Sequence, residues 1–219
     1  MKFALITEGA SEHRIIKHII AKYFKEAEPE INQIQPRLIH ERQVSVGGWN
    51  EVLKYCERKE LNDILIENDY LVIQIDTDQS QTSPFNIDHL GADGQKKTSE
   101  QLHADVIQKL QSLILPEILE KNGNNILFAV CVHTIECWLL PLCYSDNHRT
   151  KTTNCIVTLN VALRRQNKPT IPIEGKNSSV GIKAYDSLLQ NLNRKADIIA
   201  NAQYNFGFNS FVQSLNDIV

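Results

Sequence analysis

The sequence lacks several features that would place it in a familiar class at once. None of its apolar runs approaches the ~20 residues that a membrane-spanning helix needs. It has no GxxxxGK[ST] phosphate-binding loop, which excludes ATP hydrolysis by that route. It also has no internal repeat and no low-complexity tract, which argues against a solenoid, a collagen-like rod or a disordered chain.

An excess of basic charge is also missing. Lys and Arg together number 23, Asp and Glu number 26, and the formal net charge is -3. A protein that coats nucleic acid by charge alone would be basic, so that class is excluded. An enzyme that acts on nucleic acid stays open, because carboxylates that hold metal ions count as negative only until the metal binds.

The cysteines show neither an even number nor a CxxC spacing. Five are present: Cys56, Cys131, Cys137, Cys143 and Cys155. Their number and spacing predict buried free thiols in a reducing compartment rather than a zinc site. The apolar start of the chain is too short for a signal peptide and is interrupted by Glu8 and Glu12. We therefore expect a cytoplasmic protein.

Short apolar runs alternate with segments of helical periodicity over most of the 219 residues. The predicted strands are 3–6, 37–40, 70–75 and 126–132, and the predicted helices are 11–24 with Ser11 as its cap, 49–61, 98–121 divided at Pro116, 179–191 and 208–216. This alternation predicts an α/β fold with a mainly parallel sheet flanked by helices. We expect a core over 1–140 and a more polar, helical part over 141–219 packed on the same domain.

Acidic residues follow three of the predicted strands. Glu8 follows the first, Asp76 and Asp78 follow the strand at 70–75, and Glu136 follows the last. The carboxyl ends of parallel strands meet at one edge of a sheet, which is where ligands of open α/β sheets bind. Carboxylates gathered there would repel one another unless a cation lay between them, and Mg²⁺ or Mn²⁺ suits such oxygen ligands. In an extended segment, Asp76 and Asp78 would point the same way and face one metal.

Each acid also has an ordinary structural interpretation. Glu8 could interact with the amino terminus of the following helix, and Glu12 could be an acid in the first turn of that helix. Asp78 could cap a turn in the polar loop at 79–97. A solvated position explains Glu136 poorly, because its neighbours are apolar. The four strand-end acids together favour a metal site.

Three sequence elements resemble a known family. The segment Thr7–Glu12 (TEGASE) resembles the EGxxE element of the Toprim domain, which occurs in topoisomerases, primases and nucleases of the overcoming-lysogenization-defect type. The segment Ile75–Asp78 (IDTD) resembles its DxD motif. The segment His133–Leu140 (HTIECWLL) resembles the T-x-E-x-W-L element of small stand-alone Toprim-like proteins, including RloB-like proteins of anti-phage systems. The segment Phe208–Val212 is similar to the ending of that group.

The resemblance implies a Toprim-like, Rossmann-like fold and a metal-dependent nuclease that hydrolyses DNA or RNA. It implies catalytic roles for Glu8 and Glu136, and a Mg²⁺ (or Mn²⁺) site formed by Asp76, Asp78, Glu8 and Glu12. It further implies a role in anti-phage defence beside an ATPase partner. The chain departs from the family directly after the DxD motif, where residues 79–83 replace the usual small or basic residues.

Three further residues are candidates for substrate binding. Lys176 and Lys183 lie near a glycine-containing loop and His133 lies close to Glu136, although surface lysines and a partly buried histidine are the more common interpretations. A catalytically inactive Toprim-like subunit that binds a partner protein or nucleic acid is the alternative function. DNA and RNA both stay open as substrates, and so do a monomer and a homo-oligomer.

Overall fold

A four-stranded parallel sheet forms the centre of the molecule. The computed structural model describes residues 1–40 and 42–218. Its strands are β1 (Lys2–Ile6), β2 (Glu30–Gln35), β3 (Leu38–Ile39), β4 (Arg42–Gln43), β5 (Tyr70–Asp76) and β6 (Ile126–Cys131). The main sheet has the order β2-β1-β5-β6 with every neighbouring pair parallel, while β3 and β4 form a separate antiparallel pair. The predicted α/β class with a mainly parallel sheet is confirmed, and this arrangement is compatible with a Rossmann-like fold.

Helices cover both faces of this sheet. They are α1 (Ala10–Tyr23), α2 (Trp49–Cys56), α3 (Leu61–Glu67), α4 (Ser99–Leu113), α5 (Pro116–Asn122), α6 (Cys155–Arg165), α7 (Ser179–Leu189), α8 (Lys195–Ala202) and α9 (Phe206–Asn216). Because successive side chains of a strand point to opposite faces, Phe3 and Leu5 enter one apolar layer and Ala4 and Ile6 enter the other. The two-sided cover explains why β1, β5 and β6 are mainly apolar, with Gln74 of β5 as the exception.

The part of the chain beyond residue 140 belongs to the first of these layers. Residues from α6, α7, α8 and α9 share one buried cluster with α1 and with Trp138, whose ring stacks on Phe208 at 4.8 Å between ring centres. Helix α9 also packs against β6. These carboxyl-terminal helices therefore add side chains to the apolar layer on one face of the sheet.

Several predicted boundaries need correction. Helix α1 begins at Ala10 with Gly9 as its cap, so the cap predicted at Ser11 is wrong. The Ser11 hydroxyl donates to Glu12, and the Ser11 backbone N–H donates to Asn177. The division of the helix at Pro116 is confirmed, because α4 ends at Leu113 and Pro116 is the first residue of α5.

The edge strand β2 has no counterpart in the prediction. Four of the six residues in its sequence, EINQIQ, are polar, which is tolerated because it is an edge strand and most of its side chains are only partly buried. The strand predicted at 37–40 forms the short β3–β4 pair instead, outside the main sheet. Helices α6 and α8 were also not predicted.

The prediction of five free thiols is wrong for one pair. Cys137 and Cys155 form a disulfide, while Cys56, Cys131 and Cys143 are free. The pairing arises because a 3₁₀ segment, Ile135–Leu142, packs against α6 and brings the two Cα atoms to 5.0 Å. A sequence separation of 18 gives no hint of that contact. No helix within residues 1–40 and 42–218 has the length and apolar character needed to cross a membrane.

Candidate active site

The carboxyl ends of the central strands bring the predicted acids together. Glu8 follows β1, Asp76 is the last residue of β5, and Glu136 lies in the first turn of the 3₁₀ segment that follows β6. Glu12 lies one helical turn after Glu8, in α1. Glu12, Asp76 and Glu136 expose only 1%, 4% and 2% of their surface. We call Glu8, Glu12, Asp76 and Glu136 the carboxylate cluster.

Lys176 supplies the positive charge in this cluster. Its Nζ lies 2.6 Å from Glu12 Oε1, 3.4 Å from Glu136 Oε1 and 4.0 Å from Asp76 Oδ2. The loop between α6 and α7 carries this lysine and turns at Gly175, whose φ of 78° suits glycine. The interpretation of Lys176 as an ordinary surface lysine is therefore wrong, because its ammonium group lies between three buried carboxylates.

A buried glutamine connects Glu8 to Asp76. The Gln74 side chain accepts a hydrogen bond from the Glu8 N–H (3.1 Å) and donates to Asp76 Oδ1 (2.9 Å). Glu8 Oε1 in turn accepts from the Asp76 backbone N–H at 2.6 Å, and Asp76 Oδ1 also accepts from the Ile135 N–H. These bonds fix the ends of β1, β5 and the 3₁₀ segment relative to one another.

Helix α7 contributes a second partner for Glu136. The hydroxyl of Tyr185, a fully buried residue, donates to Glu136 Oε1 at 2.6 Å. The hydroxyl of Ser11 similarly donates to the second oxygen of Glu12 at 2.9 Å. Glu12 and Glu136 are thus held by hydroxyl groups as well as by Lys176.

The surroundings shift the pKa values of these acids in opposite directions. Burial raises the pKa of Glu8 to about 8, and the charges of Glu12 and Asp78 add to this effect. Burial and the neighbouring Glu8 raise the pKa of Asp76 well above its ordinary value. Burial also acts on Glu136, but Lys176 and the Tyr185 hydroxyl outweigh it and lower the pKa of that carboxyl. The Glu8–Asp76 side is therefore short of positive charge, whereas Glu136 is ionised.

Asp78 does not point with Asp76 as the extended-strand argument predicted. The chain turns directly after Asp76, because the N–H groups of Thr77 and Asp78 both donate to the His133 carbonyl, at 2.9 and 3.0 Å. As a result Asp76 is buried while Asp78 is exposed at the mouth of the site. Partial burial of its carboxylate still raises the pKa of Asp78.

His133 and Lys183, the other two substrate-binding candidates, lie in different surroundings. His133 has a left-handed φ of 63°, and its half-buried ring meets the ring of His89 edge-on at 5.3 Å between centres. Burial and His89 lower the pKa of His133. Lys183 is exposed in the second turn of α7, within the helix predicted at 179–191. Of these two residues, His133 is the one held beside the Asp76–Asp78 turn.

The donor chemistry of the site fits a hard divalent cation, although the side chains are not placed around one. Carboxylate oxygens are the ligands that Mg²⁺ and Mn²⁺ prefer, and burial together with the neighbouring carboxylates raises the pKa values of Glu8 and Asp76, which a bound cation would lower. Within residues 1–40 and 42–218, however, no three His, Cys, Asp or Glu side chains are grouped as metal ligands. Lys176 lies closer to Glu12 and Glu136 than to Asp76, so Glu8, Asp76 and Asp78 are the acids with the least compensating charge and the ones left to hold an ion.

Comparisons with other proteins identify no relative. No protein-family model, no curated protein and no solved structure matches this chain.

Two residues of the site, Gln74 and Tyr185, were not predicted from the sequence. Gln74 gave a usable signal, because it is the single amide side chain within an otherwise apolar strand before Asp76. Tyr185 gave none, because it follows Glu136 by 49 residues and lies within an ordinary amphipathic helix.

Proposed function

We propose that this protein is a metal-dependent nuclease that hydrolyses phosphodiester bonds of DNA or RNA. One observation carries the proposal: the buried carboxylates of Glu12, Asp76 and Glu136, on the segments at the carboxyl ends of β1, β5 and β6, meet around a single lysine. Burying several acids together is costly unless their charges are used or compensated. A Toprim-like identity, taken from the resemblance of Thr7–Glu12, Ile75–Asp78 and His133–Leu140, belongs to the same proposal.

The residues of the site divide the chemistry between them. Asp76, Asp78 and Glu8 would hold Mg²⁺, which when bound activates water and neutralises charge on the leaving oxygen. Glu8 has a pKa near 8, which is the range that suits proton exchange at neutral pH. Lys176 offers an ammonium group to the phosphate oxygens, where charge develops during cleavage. Glu136, held by Tyr185, keeps that ammonium group in place.

The resemblance also implies a biological role, which we add to the proposal. Small Toprim-like proteins of this kind belong to anti-phage systems and are often encoded beside an ATPase. We include such a partner in the proposal, with the present chain supplying the nuclease subunit.

The proposal is tested by cleavage of a mixed panel of plasmid, linear duplex, single strands and tRNA with Mg²⁺ or Mn²⁺, with and without an ATPase encoded beside the gene. Glu8→Gln and Asp76→Asn should each abolish cleavage, because both substitutions keep the size of the side chain and remove a carboxyl group that can release its proton and bind the ion. Glu30→Gln and Asp69→Asn are matched controls. Both lie in exposed positions at the opposite end of the sheet and should leave cleavage unchanged.

A second candidate function is favoured by the ion pairs of Lys176. Since Lys176 already compensates three carboxylates, the cluster can also be purely structural, as in a non-catalytic subunit that binds a partner protein or nucleic acid. Titration of the folded protein with Mn²⁺, followed by electron paramagnetic resonance, separates the two. Absence of binding, together with no cleavage in the presence of the partner, would leave the binding subunit as the function.

A further inference from the structure

One part of the chain is basic although the whole is acidic. Residues 144–173 contain five Lys and Arg residues and a single acid, Asp146, in a chain whose net charge is -3. The five are Arg149, Lys151, Arg164, Arg165 and Lys168. Uneven charge of this kind is typical of proteins that contact nucleic acid with one surface.

The structure arranges these charges along α6. Lys151 Nζ donates to Thr158 Oγ1 at 2.9 Å, and the Tyr144 hydroxyl donates to the Thr158 carbonyl at 2.8 Å. Arg165 follows Thr158 by seven residues, so it lies on the same face of the helix, about 10 Å further along. Arg164 and Arg165 are both exposed at the end of the helix. We call Lys151, Arg164, Arg165 and Lys168 the basic surface.

Aromatic rings lie beside the basic surface. Tyr144 and His148 stack with ring centres 4.8 Å apart, and the His148 side chain exposes 51% of its surface. Arg149 is held over the ring of Tyr204 at 3.8 Å, which fixes this segment to the body of the protein. An exposed ring in such a setting is a platform on which a nucleic acid base can stack.

The basic surface is joined directly to the candidate active site. The 3₁₀ segment contains Glu136 in its first turn and leads into the chain that carries Tyr144. The disulfide between Cys137 and Cys155 links the residue after Glu136 to the first residue of α6. The helix that carries part of the basic surface is therefore covalently linked to the segment that carries Glu136.

We propose that single-stranded nucleic acid binds across the basic surface, with its phosphates on Lys151, Arg164, Arg165 and Lys168 and a base stacked on His148. This inference rests on the proposed function and names the surface that delivers its substrate. It explains how a protein with a net charge of -3 holds a polyanion, because residues 144–173 carry five basic residues and a single acid, Asp146, whose carboxylate accepts a hydrogen bond from His148 Nδ1. Phosphate contacts give affinity and the exposed ring selects strands whose bases are unpaired.

Fluorescence polarisation with labelled dT and rU oligonucleotides of about 20 nucleotides tests this surface, with EDTA present so that no metal is needed. The double variant Arg164→Gln/Arg165→Gln should bind about tenfold more weakly than wild type at low salt. Its salt dependence should fall by about 1.4 in the slope of log K against log salt, the value for two lost phosphate contacts on a single strand. His148→Ala should weaken binding of single strands more than binding of a duplex.

The double variant Lys59→Gln/Lys121→Gln removes the same charge from exposed positions, one just before α3 and one within α5, and should bind like wild type. Equal binding by the two double variants would overturn the proposal, and so would competition by polyglutamate as effective as that by unlabelled oligonucleotide, which would indicate an acidic protein partner. Circular dichroism and thermal unfolding confirm that each variant is folded.

The same oligonucleotide assay with Glu8→Gln separates this proposal from the nuclease. Glu8→Gln should bind normally and cut nothing. Binding lost in Arg164→Gln/Arg165→Gln, with no cleavage by wild type, would support the basic surface and remove the nuclease. Cleavage by wild type with no effect of the arginine substitutions on binding would do the reverse.

Discussion

Glu8 has two competing sets of neighbours. The backbone N–H of Asp76 favours its charged form, while burial and the charges of Glu12 and Asp78 favour the protonated form. The second set prevails and raises the pKa of Glu8 from 4.5 to about 8. The folded protein therefore keeps a proton on this carboxyl over a pH range in which the unfolded chain has released it.

This shift predicts a pH-dependent effect of Glu8→Gln. Between about pH 5 and 8 the folded state of the wild type binds more protons than the unfolded state, so the contribution of Glu8 to stability is present at low pH and is lost as pH rises through the folded pKa. Gln does not titrate, so the variant should become more stable than wild type by roughly 2–4 kcal/mol as pH rises over this range. Urea unfolding at several pH values measures the difference.

The exposed Glu30 supplies the control, since Glu30→Gln removes one negative charge at the other end of the sheet. Its difference from wild type should not grow with pH. A constant difference between Glu8→Gln and wild type from about pH 5 to 8 would show that Glu8 is ionised throughout and that the site is more hydrated than its burial indicates.

At this scale the sequence predicts some functional residues and not others. Glu8, Asp76 and Glu136 each follow a buried apolar strand, so a local pattern combined with the geometry of parallel sheets is enough to predict that they meet. The role of Lys176 could not be predicted, because it depends on the path of a loop that is 40 residues from Glu136. Asp78 was placed wrongly because the turn after Asp76 is made by hydrogen bonds to His133, which is 55 residues away from Asp78 and not visible in the local pattern.

At the scale of elements, the α6–α7 loop packs so closely against α7 that no space is left for a larger side chain at Gly181. Gly181 lies in the first turn of α7, and a Cβ atom there would overlap the carbonyl oxygen of Lys176. Gly181→Ala should therefore displace the loop and destabilise the protein by about 1–3 kcal/mol, with loss of the proposed cleavage. Chemical unfolding and the cleavage assay measure the two effects.

Gly123→Ala is the matched substitution. Gly123 has helical dihedral angles, and nothing lies within 4 Å of a Cβ atom built there, so the change should be neutral or slightly stabilising. Wild-type stability and activity in Gly181→Ala would mean that the loop is free to move and that Lys176 is not held in the cluster by α7.

The helices and strands with the most regular apolar patterns were the ones predicted most closely. The strands β1, β5 and β6 are mainly apolar and were predicted within a residue or two of their observed bounds. Strand β2 was missed because an edge strand with partly buried side chains carries Asn and Gln, and Pro29 and Pro36 on either side of it indicated a break. Helix α6 was missed although Leu159 and Leu163 lie in its buried stripe, because its β-branched residues Ile156, Val157, Thr158 and Val161 lower the helical propensity of the segment.

For the molecule as a whole, the disulfide between Cys137 and Cys155 joins the segment of Glu136 to α6. Closing a loop across a sequence separation of 18 should contribute about 3 kcal/mol by restricting the unfolded chain. Cys155→Ser should therefore lower the free energy of unfolding by about that amount, and a reducing agent should lower the stability of wild type to a similar value. Urea unfolding with and without reductant measures both.

Cys143→Ser supplies the comparison, because Cys143 is a free, half-buried thiol in the same part of the chain. It should respond to reductant as wild type does. If reductant leaves the unfolding of wild type unchanged, the two sulfur atoms are not bonded in solution and the original expectation of free thiols would be restored.

The position of Lys176 bears on whether this protein needs a metal ion in order to fold. Metal-binding proteins whose ligands repel one another often cannot fold until the ion arrives. Here the chain provides its own counter-ion from the α6–α7 loop, so the acids can be buried before any metal is present. We therefore expect the protein to fold without added metal, and a chelator to leave its circular dichroism and thermal unfolding unchanged even if it abolishes the proposed cleavage.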